Sequence, residues 1–300
     1  MVDVIIIGGG PAGLSAALVL GRARRSVVVV DSGQTRNRAA LHMHGYLTRD
    51  GIAPAQFLTL SREELDKYNV HIAHDKASFA ARSREGFVVH LESGQVLIGR
   101  KLLLATGVRD LLPEIPNFES FYGRSIHHCP YCDGWEHRDQ RIVAFGRGNA
   151  AVGLALSLLT WSPHVIACSH DEGLDSKHAM LAERNKLLVC SEPVAGLEGE
   201  GGQLHRVVLK SGRSIACDAL FFNTGQVQRS ELPRKLGCAF DADGGVIATD
   251  RQCTGVAGMY VAGDADKEVQ FVIVAAAQGA TAAVAINREL QDEERGTGNH

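Results

Sequence analysis

The stretch VDVIIIGGGPAGLSAALVLGRARRSVVVVDSG, residues 2–33, decides how this chain folds. It reads as strand, glycine turn, helix and strand. The all-apolar runs VIII and SVVVVD suit strands buried on both faces of a parallel sheet, and AGLSAALVLGRA between them has helical period. Gly8, Gly10 and Gly13 stand as G-x-G-x-x-G around Pro11 and Ala12. Asp31 ends the second strand 18 residues after Gly13, just before Ser32. Such glycines permit a tight turn, the close approach of a pyrophosphate and tight helix–strand packing. The amides and dipole at the helix start then hold phosphates. Asp31 is placed to accept hydrogen bonds from an adenosine ribose. A glycine triplet alone is weak evidence, but the whole unit with its acidic end is a strong dinucleotide signature.

The pattern recurs. QRIVAFGRGNAAVGLALSLL, residues 140–159, is a second strand, turn and helix, with Gly146, Gly148 and Ala151 as G-x-G-x-x-A around Asn149 and Ala150, and HVIACSH supplies the next strand. The two glycine turns lie 138 residues apart. Between them KLLLATGVRDLLPEIPNF runs a strand into the turn Ala105-Thr106-Gly107, and ALFFNTGQVQRSEL is its counterpart in the second half. Near the end, GVAGMYVAGDADKEVQFVIVAAAQGATAAVAINREL gives a strand, then Gly263-Asp264, then a long apolar helix. The expected fold is therefore α/β, with two Rossmann-like three-layer dinucleotide-binding domains. Residues 1–111 and 245–300 would form one domain, split by an inserted domain over 112–244, with the crossings in Pro/Gly-marked turns.

Composition narrows the function. At 45% hydrophobic and 22% charged, with a net charge of −3, the chain has neither basic stripe nor acidic tail, which argues against nucleic-acid and membrane-surface partners. The apolar run after Met1 lacks a basic leader and is broken by Gly8, Gly9, Gly10 and Pro11, so it does not read as a signal peptide. Seven cysteines, five of them scattered in apolar contexts, do not suit a secreted disulfide framework. A cytoplasmic protein is expected.

The other two cysteines lie in SIHHCPYCDGWEHRD, residues 125–139. Cys129-x-x-Cys132 suits reversible disulfide chemistry, because two intervening residues let a small ring close and the motif lowers one thiol's pKa. A metal clamp is the rival, with His127, His128 or His137 completing the set. A structural zinc would want a second well-spaced pair, and none occurs nearby. An inert polar loop is the third reading. The redox dithiol is preferred, with no metal expected.

Taken in order, the Gly8–Gly13 turn, Ala105-Thr106-Gly107, the C-P-Y-C-D, the second glycine unit and Gly263-Asp264 resemble the small two-domain form of the thioredoxin reductase family over nearly the whole chain. The resemblance implies an FAD-dependent disulfide oxidoreductase and a homodimer. Gly8, Gly10, Pro11, Ala12, Gly13, Asp31, Ser32, Ala105, Thr106 and Gly107 would hold FAD, together with Gly263 and Asp264. Val269, Gln270 and Phe271 would lead a helix N-terminus to the flavin, where a positive helix end favours charge on the reduced ring. Cys132 would face the flavin, Cys129 would attack the substrate, and Asp133 would be the general acid/base. His44, Gly45 and Tyr46 depart from the family's usual opening of a flavin-lining segment.

The second nucleotide unit departs further. NADPH-dependent members carry a cationic clamp for the 2′-phosphate, and here the place reads SHDEGLDSKH, residues 169–178. Ser169, His170 and Lys177 would make a poorer phosphate site. Asp171 and Glu172 oppose a phosphate and suit a free ribose hydroxyl. Gly146, Gly148, Asn149, Ala150, Ser169 and His170 are thus the candidates for NADPH or NADH. Three functions follow: a reductase acting on a thioredoxin-like protein or a small disulfide, a dithiol oxidase passing electrons to oxygen or NADP⁺, and a flavin-binding redox sensor.

Overall fold

The computed structural model describes residues 1–266 and 269–296. Its largest sheet has seven strands, in the order Val70–Ala73, Val27–Val30, Val2–Ile7, Val96–Leu104, Gly86–Leu91, Ala77–Ser83, with Met259–Val261 added beside Val96–Leu104. The strands Val2–Ile7, Val27–Val30 and Met259–Val261 run parallel to their neighbours, and Gly86–Leu91 pairs antiparallel on both sides. Both ends of the chain therefore contribute to one sheet.

The all-apolar strands bury both faces, as a period of two demands. Val4, Ile6, Val27 and Val29 pack with Leu14, Ala16 and Ala17 of the helix Pro11–Arg22 and with Ala282, Ala283 and Ile286 of the last helix, Val272–Arg295. Ile5, Ile7, Val28 and Val30 face the other way, against Phe87, Val89 and Leu102. The two helices meet through small residues. A methyl group at Gly279 would run into the Ala12 backbone, so this helix pair requires glycine there.

A second, five-stranded parallel sheet runs Leu188–Cys190, Val165–Cys168, Ile142–Gly146, Ala219–Asn223, Ile126–His127. The helix Asn149–Leu158 covers one face, and an antiparallel trio, Val194–Glu200, Gln203–Leu209 and Ser214–Ala216, supplies core residues on the other. Sheet, helices and antiparallel layer give the α/β three-layer plan twice.

Val108–Asp110 and Gln226–Gln228 pair antiparallel between the two units. The second crossing differs from the expected position near 244. Leu232, Cys238 and Val246 already pack into the core of the seven-stranded sheet. The glycines around 244 belong instead to a local turn in which Asp241 accepts from the amides of Asp243 and Gly245. Among the described residues, no helix is long and apolar enough to cross a membrane.

Candidate active site

One cleft runs from the ends of the first strands to the cysteine pair. At one end it is floored by the turn Gly8–Ala12. Gly8 sits at φ +118°, and a side chain there would collide with the Ala105 carbonyl oxygen. A side chain at Gly13 would collide with the Gly8 carbonyl, so the helix can start tight against the strand only with glycine at both positions. Gly10 caps that helix with open space on its Cβ side. Asp31 and Ser32 line the same end. Asp31 is only 4% exposed, and it accepts from the Gly33 amide at 2.8 Å and from Arg62 Nη2 at 2.8 Å.

Ala105, Thr106 and Gly107 form the middle of the wall, and among the described residues the buried Thr106 hydroxyl has no hydrogen-bond partner. Gly263, Asp264, Gln270 and Phe271 line the opposite side, Phe271 being the N-cap of the last helix. Val269 is 61% exposed and lies off the lining. Arg36, unnoticed in the sequence, holds this region together. Its Nε and Nη2 donate to Asp110 at 2.8 and 2.7 Å, and its Nη1 donates to Asp264 at 2.9 Å and to Gln270 at 2.6 Å. Burial opposes the guanidinium charge, but the Asp110 and Asp264 carboxylates outweigh it and raise the Arg36 pKa. Burial likewise opposes charge on Asp110, yet Arg36 and His128 hold it below the ordinary carboxylate range.

Cys129 and Cys132 line the other end and are joined by a disulfide. Cys129 caps the short helix Pro130–Asp133, its sulfur accepting from the Cys132 amide at 3.1 Å. Asp133 points to the neighbouring strand, with Oδ1 3.2 Å from His127 Nδ1. His127 Nε2 lies 3.1 Å from the Arg124 carbonyl oxygen and 2.9 Å from His137 Nε2. His137 Nδ1 then meets Gln140 Oε1 at 2.9 Å. Desolvation lowers the pKa of His137, and likewise that of His128, which lies 3.9 Å from Asp110. Among the described residues no group of three His, Cys, Asp or Glu side chains is placed to hold a metal.

Tyr131, between the cysteines, is 71% exposed and sets its ring edge-on to Trp161 and Phe271. His44 lines the cleft and reaches Glu136 at 3.6 Å. Trp135 is an exposed surface residue under Arg138. The remaining cysteines behave as small apolar side chains. Burial pushes the Cys217 thiol up to about 12 and that of Cys238 to about 11, and raises Cys168 as well.

The second glycine turn lies outside this cleft and has an acidic neighbour. Gly148, at φ +50°, faces the Gly173 carbonyl and Glu172. Arg147 reaches Glu172 at 3.4 Å, and Asn149 exchanges hydrogen bonds with Asp175 at 2.8 and 3.1 Å. Ser169 is buried, and among the described residues its hydroxyl has no hydrogen-bond partner. His170 turns its ring edge to Phe145 and accepts from the Val194 amide, so it is engaged within the fold. Ala150 is half-buried at the start of the helix.

The family model for pyridine nucleotide-disulphide oxidoreductases matches residues 2–279. The chain is 31% identical to a "Probable thioredoxin reductase" of Arthroderma benhamiae, over 97% of this chain and 81% of that one. It is 34% identical to "Thioredoxin reductase tcpT" of Claviceps purpurea, over 88% and 86%. Among solved structures, the putative thioredoxin reductase TrxB from Bacillus anthracis superposes with a TM-score of 0.93 at 32% identity, covering 98% of this chain and all (100%) of that one.

Proposed function

Since the chain belongs to the pyridine nucleotide-disulphide oxidoreductase family, we propose that it is a flavoenzyme whose Cys129/Cys132 pair exchanges electrons with a protein or small-molecule dithiol or disulfide. The observation that carries this reading is that the disulfide and the Gly8–Ala12 cradle line one continuous cleft.

The cleft fits FAD. Gly10 leaves its side open, the Thr106 hydroxyl lacks a partner among the described residues, and an elongated wall joins Asp31 to Phe271. Gly8, Gly10, Pro11, Ala12 and Gly13 would receive the pyrophosphate, Asp31 and Ser32 the adenosine, and Thr106, Asp264 and Gln270 the remainder. When bound, FAD supplies two-electron exchange with the dithiol. The chain's own part is thiol and proton chemistry. Cys132 is the sulfur assigned to the flavin, and Cys129, at the helix N-cap, is the sulfur assigned to substrate. A helix start favours a thiolate. Asp133 protonates the departing thiolate or takes a proton from the incoming thiol.

For electron supply, a reductase drawing on NADPH or NADH is one direction. The acidic surroundings of the second glycine turn favour the other, a dithiol oxidase, because Glu172 and Asp175 already occupy Arg147 and Asn149. Anaerobic titration of the FAD-loaded protein with NADPH, then NADH, then a small dithiol separates the two. Bleaching of the flavin by a nucleotide establishes the reductase. Bleaching only by dithiol, with recovery in air, establishes the oxidase. A flavin inert to all three overturns both.

A further inference from the structure

Asp31 meets the cleft in a geometry that a distant side chain sets. It follows the strand Val27–Val30, and its amide donates to the Ala73 carbonyl at 2.9 Å, which keeps it in line with the sheet. Its side chain lies against Gly9, where a methyl group would strike the carboxylate carbon. The two carboxylate oxygens have separate partners. Oδ1 accepts from the Gly33 amide and Oδ2 from Arg62 Nη2, each at 2.8 Å. Arg62 stands 31 residues further on, in the last turn of the helix Pro54–Glu63, which is seated on the core through Phe57 and Leu58.

The form of this ion pair is informative. A guanidinium that serves only to neutralise a carboxylate does so best as a fork, with two parallel hydrogen bonds. Here Gly33 takes Oδ1, and Arg62 Nε is buried with no hydrogen-bond partner among the described residues. A buried donor left unpaired is a cost to the fold. The arrangement therefore gives up part of the ion pair and holds the carboxylate from two sides instead.

We infer that Arg62 is a positioning residue for the adenosine half of FAD, fixing the Asp31 carboxylate so that each of its oxygens keeps a lone pair for the ribose. The inference rests on the FAD reading of the cleft given above. A carboxylate oxygen accepts two hydrogen bonds, so Gly33 and Arg62 leave one acceptor site on each. An adenosine ribose carries two neighbouring hydroxyl donors, and an acidic residue at the end of this strand is placed to receive them. Asp31 lines the cleft and Arg62 stands outside its lining, so Arg62 acts through Asp31 and not on the nucleotide. Among the described residues no other cation pairs with Asp31. Without Arg62, Oδ2 loses its charged partner in a site only 4% exposed, and the carboxylate must turn or draw in water.

The test is titration of the full-length apoprotein with FAD and with FMN, which has no adenosine, followed by flavin fluorescence. Arg62→Leu is expected to weaken FAD binding about tenfold, the worth of one charge-assisted hydrogen bond, and to leave FMN binding unchanged. Asp31→Asn should weaken FAD as well, and adding Arg62→Leu to it should cost nothing further. An unchanged FAD affinity in Arg62→Leu, equal losses for FAD and FMN, or additive losses in the double variant would each overturn the inference. If the wild type does not hold FMN, ADP replaces it in a calorimetric titration: ADP must lose the same factor as FAD, and an unchanged ADP affinity refutes the assignment. If Arg62→Leu does not fold, Arg62→Lys decides, with a smaller loss confined to FAD expected and a loss shared with FMN refuting. A wild type that holds no FAD would instead overturn the cofactor reading on which this rests.

Discussion

Arg36→Ala should be among the most damaging single substitutions in the cleft. The guanidinium makes four hydrogen bonds, two of them a fork onto Asp110, whose side chain is only 6% exposed. Removing one partner of a buried ion pair costs about 3–5 kcal/mol, since the other charge is left desolvated. Asp264, at 20% exposure, adds less because water can reach it. A loss of about 4 kcal/mol should lower the melting temperature on the order of 10 °C in a chain of this size. The loss should also depend on pH. Asp110 is held below its ordinary value of 3.8 in the folded protein, so the stability it contributes is present above that value and lost as pH falls through its depressed pKa. Arg36→Ala removes the Arg36 share of that depression, so the gap between variant and wild type should be full at pH 7 and narrow as pH falls below the ordinary value of 3.8 towards the depressed one. Asp110→Asn added to Arg36→Ala should recover a large part of the loss, because the stranded charge is gone. Arg36→Lys keeps the charge but loses the fork, and should fall between the two. Thermal melts of all four proteins at pH 7 and pH 4 test this. An Arg36→Ala loss below about 1 kcal/mol, or no recovery from Asp110→Asn, would refute the buried-pair reasoning.

Gly8→Ala forces an L-residue to φ +118° against the Ala105 carbonyl, and strain of about 1–3 kcal/mol before any clash should empty the cleft of FAD, checked by the absorbance of the purified protein. Cys132→Ser should stop electron exchange between dithiol and flavin, whereas Cys129→Ser should block only exchange with substrate. Equal flavin–thiol communication in the two variants, read by flavin absorbance, would refute that division. Asp171→Arg with Glu172→Arg replaces opposing charges beside the second glycine turn, and should favour NADPH over NADH by about tenfold in a binding titration, the worth of one charge-assisted hydrogen bond.

The first 31 residues were legible because everything that specifies them is local: a period of two, a period of 3.6, and glycines at fixed offsets. The strand pairing of Val4 with Val27 and Lys101 follows from the same apolar runs. The cysteine pair was legible for the same reason. Arg36 was not, since its partners Asp110 and Asp264 lie 74 and 228 residues away and no local pattern marks it. The second crossing was misplaced because a Pro/Gly-rich turn marks a change of direction, not the core that the following residues join. Leu232 and Val246 reveal their allegiance only through packing.

His127 and His128 occupy a middle ground. In the sequence they look like two polar residues before a cysteine motif. They sit at the end of a strand, where successive side chains face opposite ways. His127 accordingly joins Asp133, His137 and Phe221, and His128 joins Asp110, Tyr122 and Phe222. Phe221 and Phe222 split in the same fashion on the adjacent strand, since Phe221 pairs with His127 in register. The dipeptide therefore feeds two networks, one that holds Asp133 beside the cysteines and one that meets Arg36 at the wall of the cleft. Within the exchange between the dithiol and substrate, a perturbation of Arg36 should act through His128, and one of His127 through Asp133. Arg36→Ala and His127→Asn should accordingly have additive effects on thiol exchange, and strong coupling between them would mean that the strand transmits what its alternation is here taken to separate.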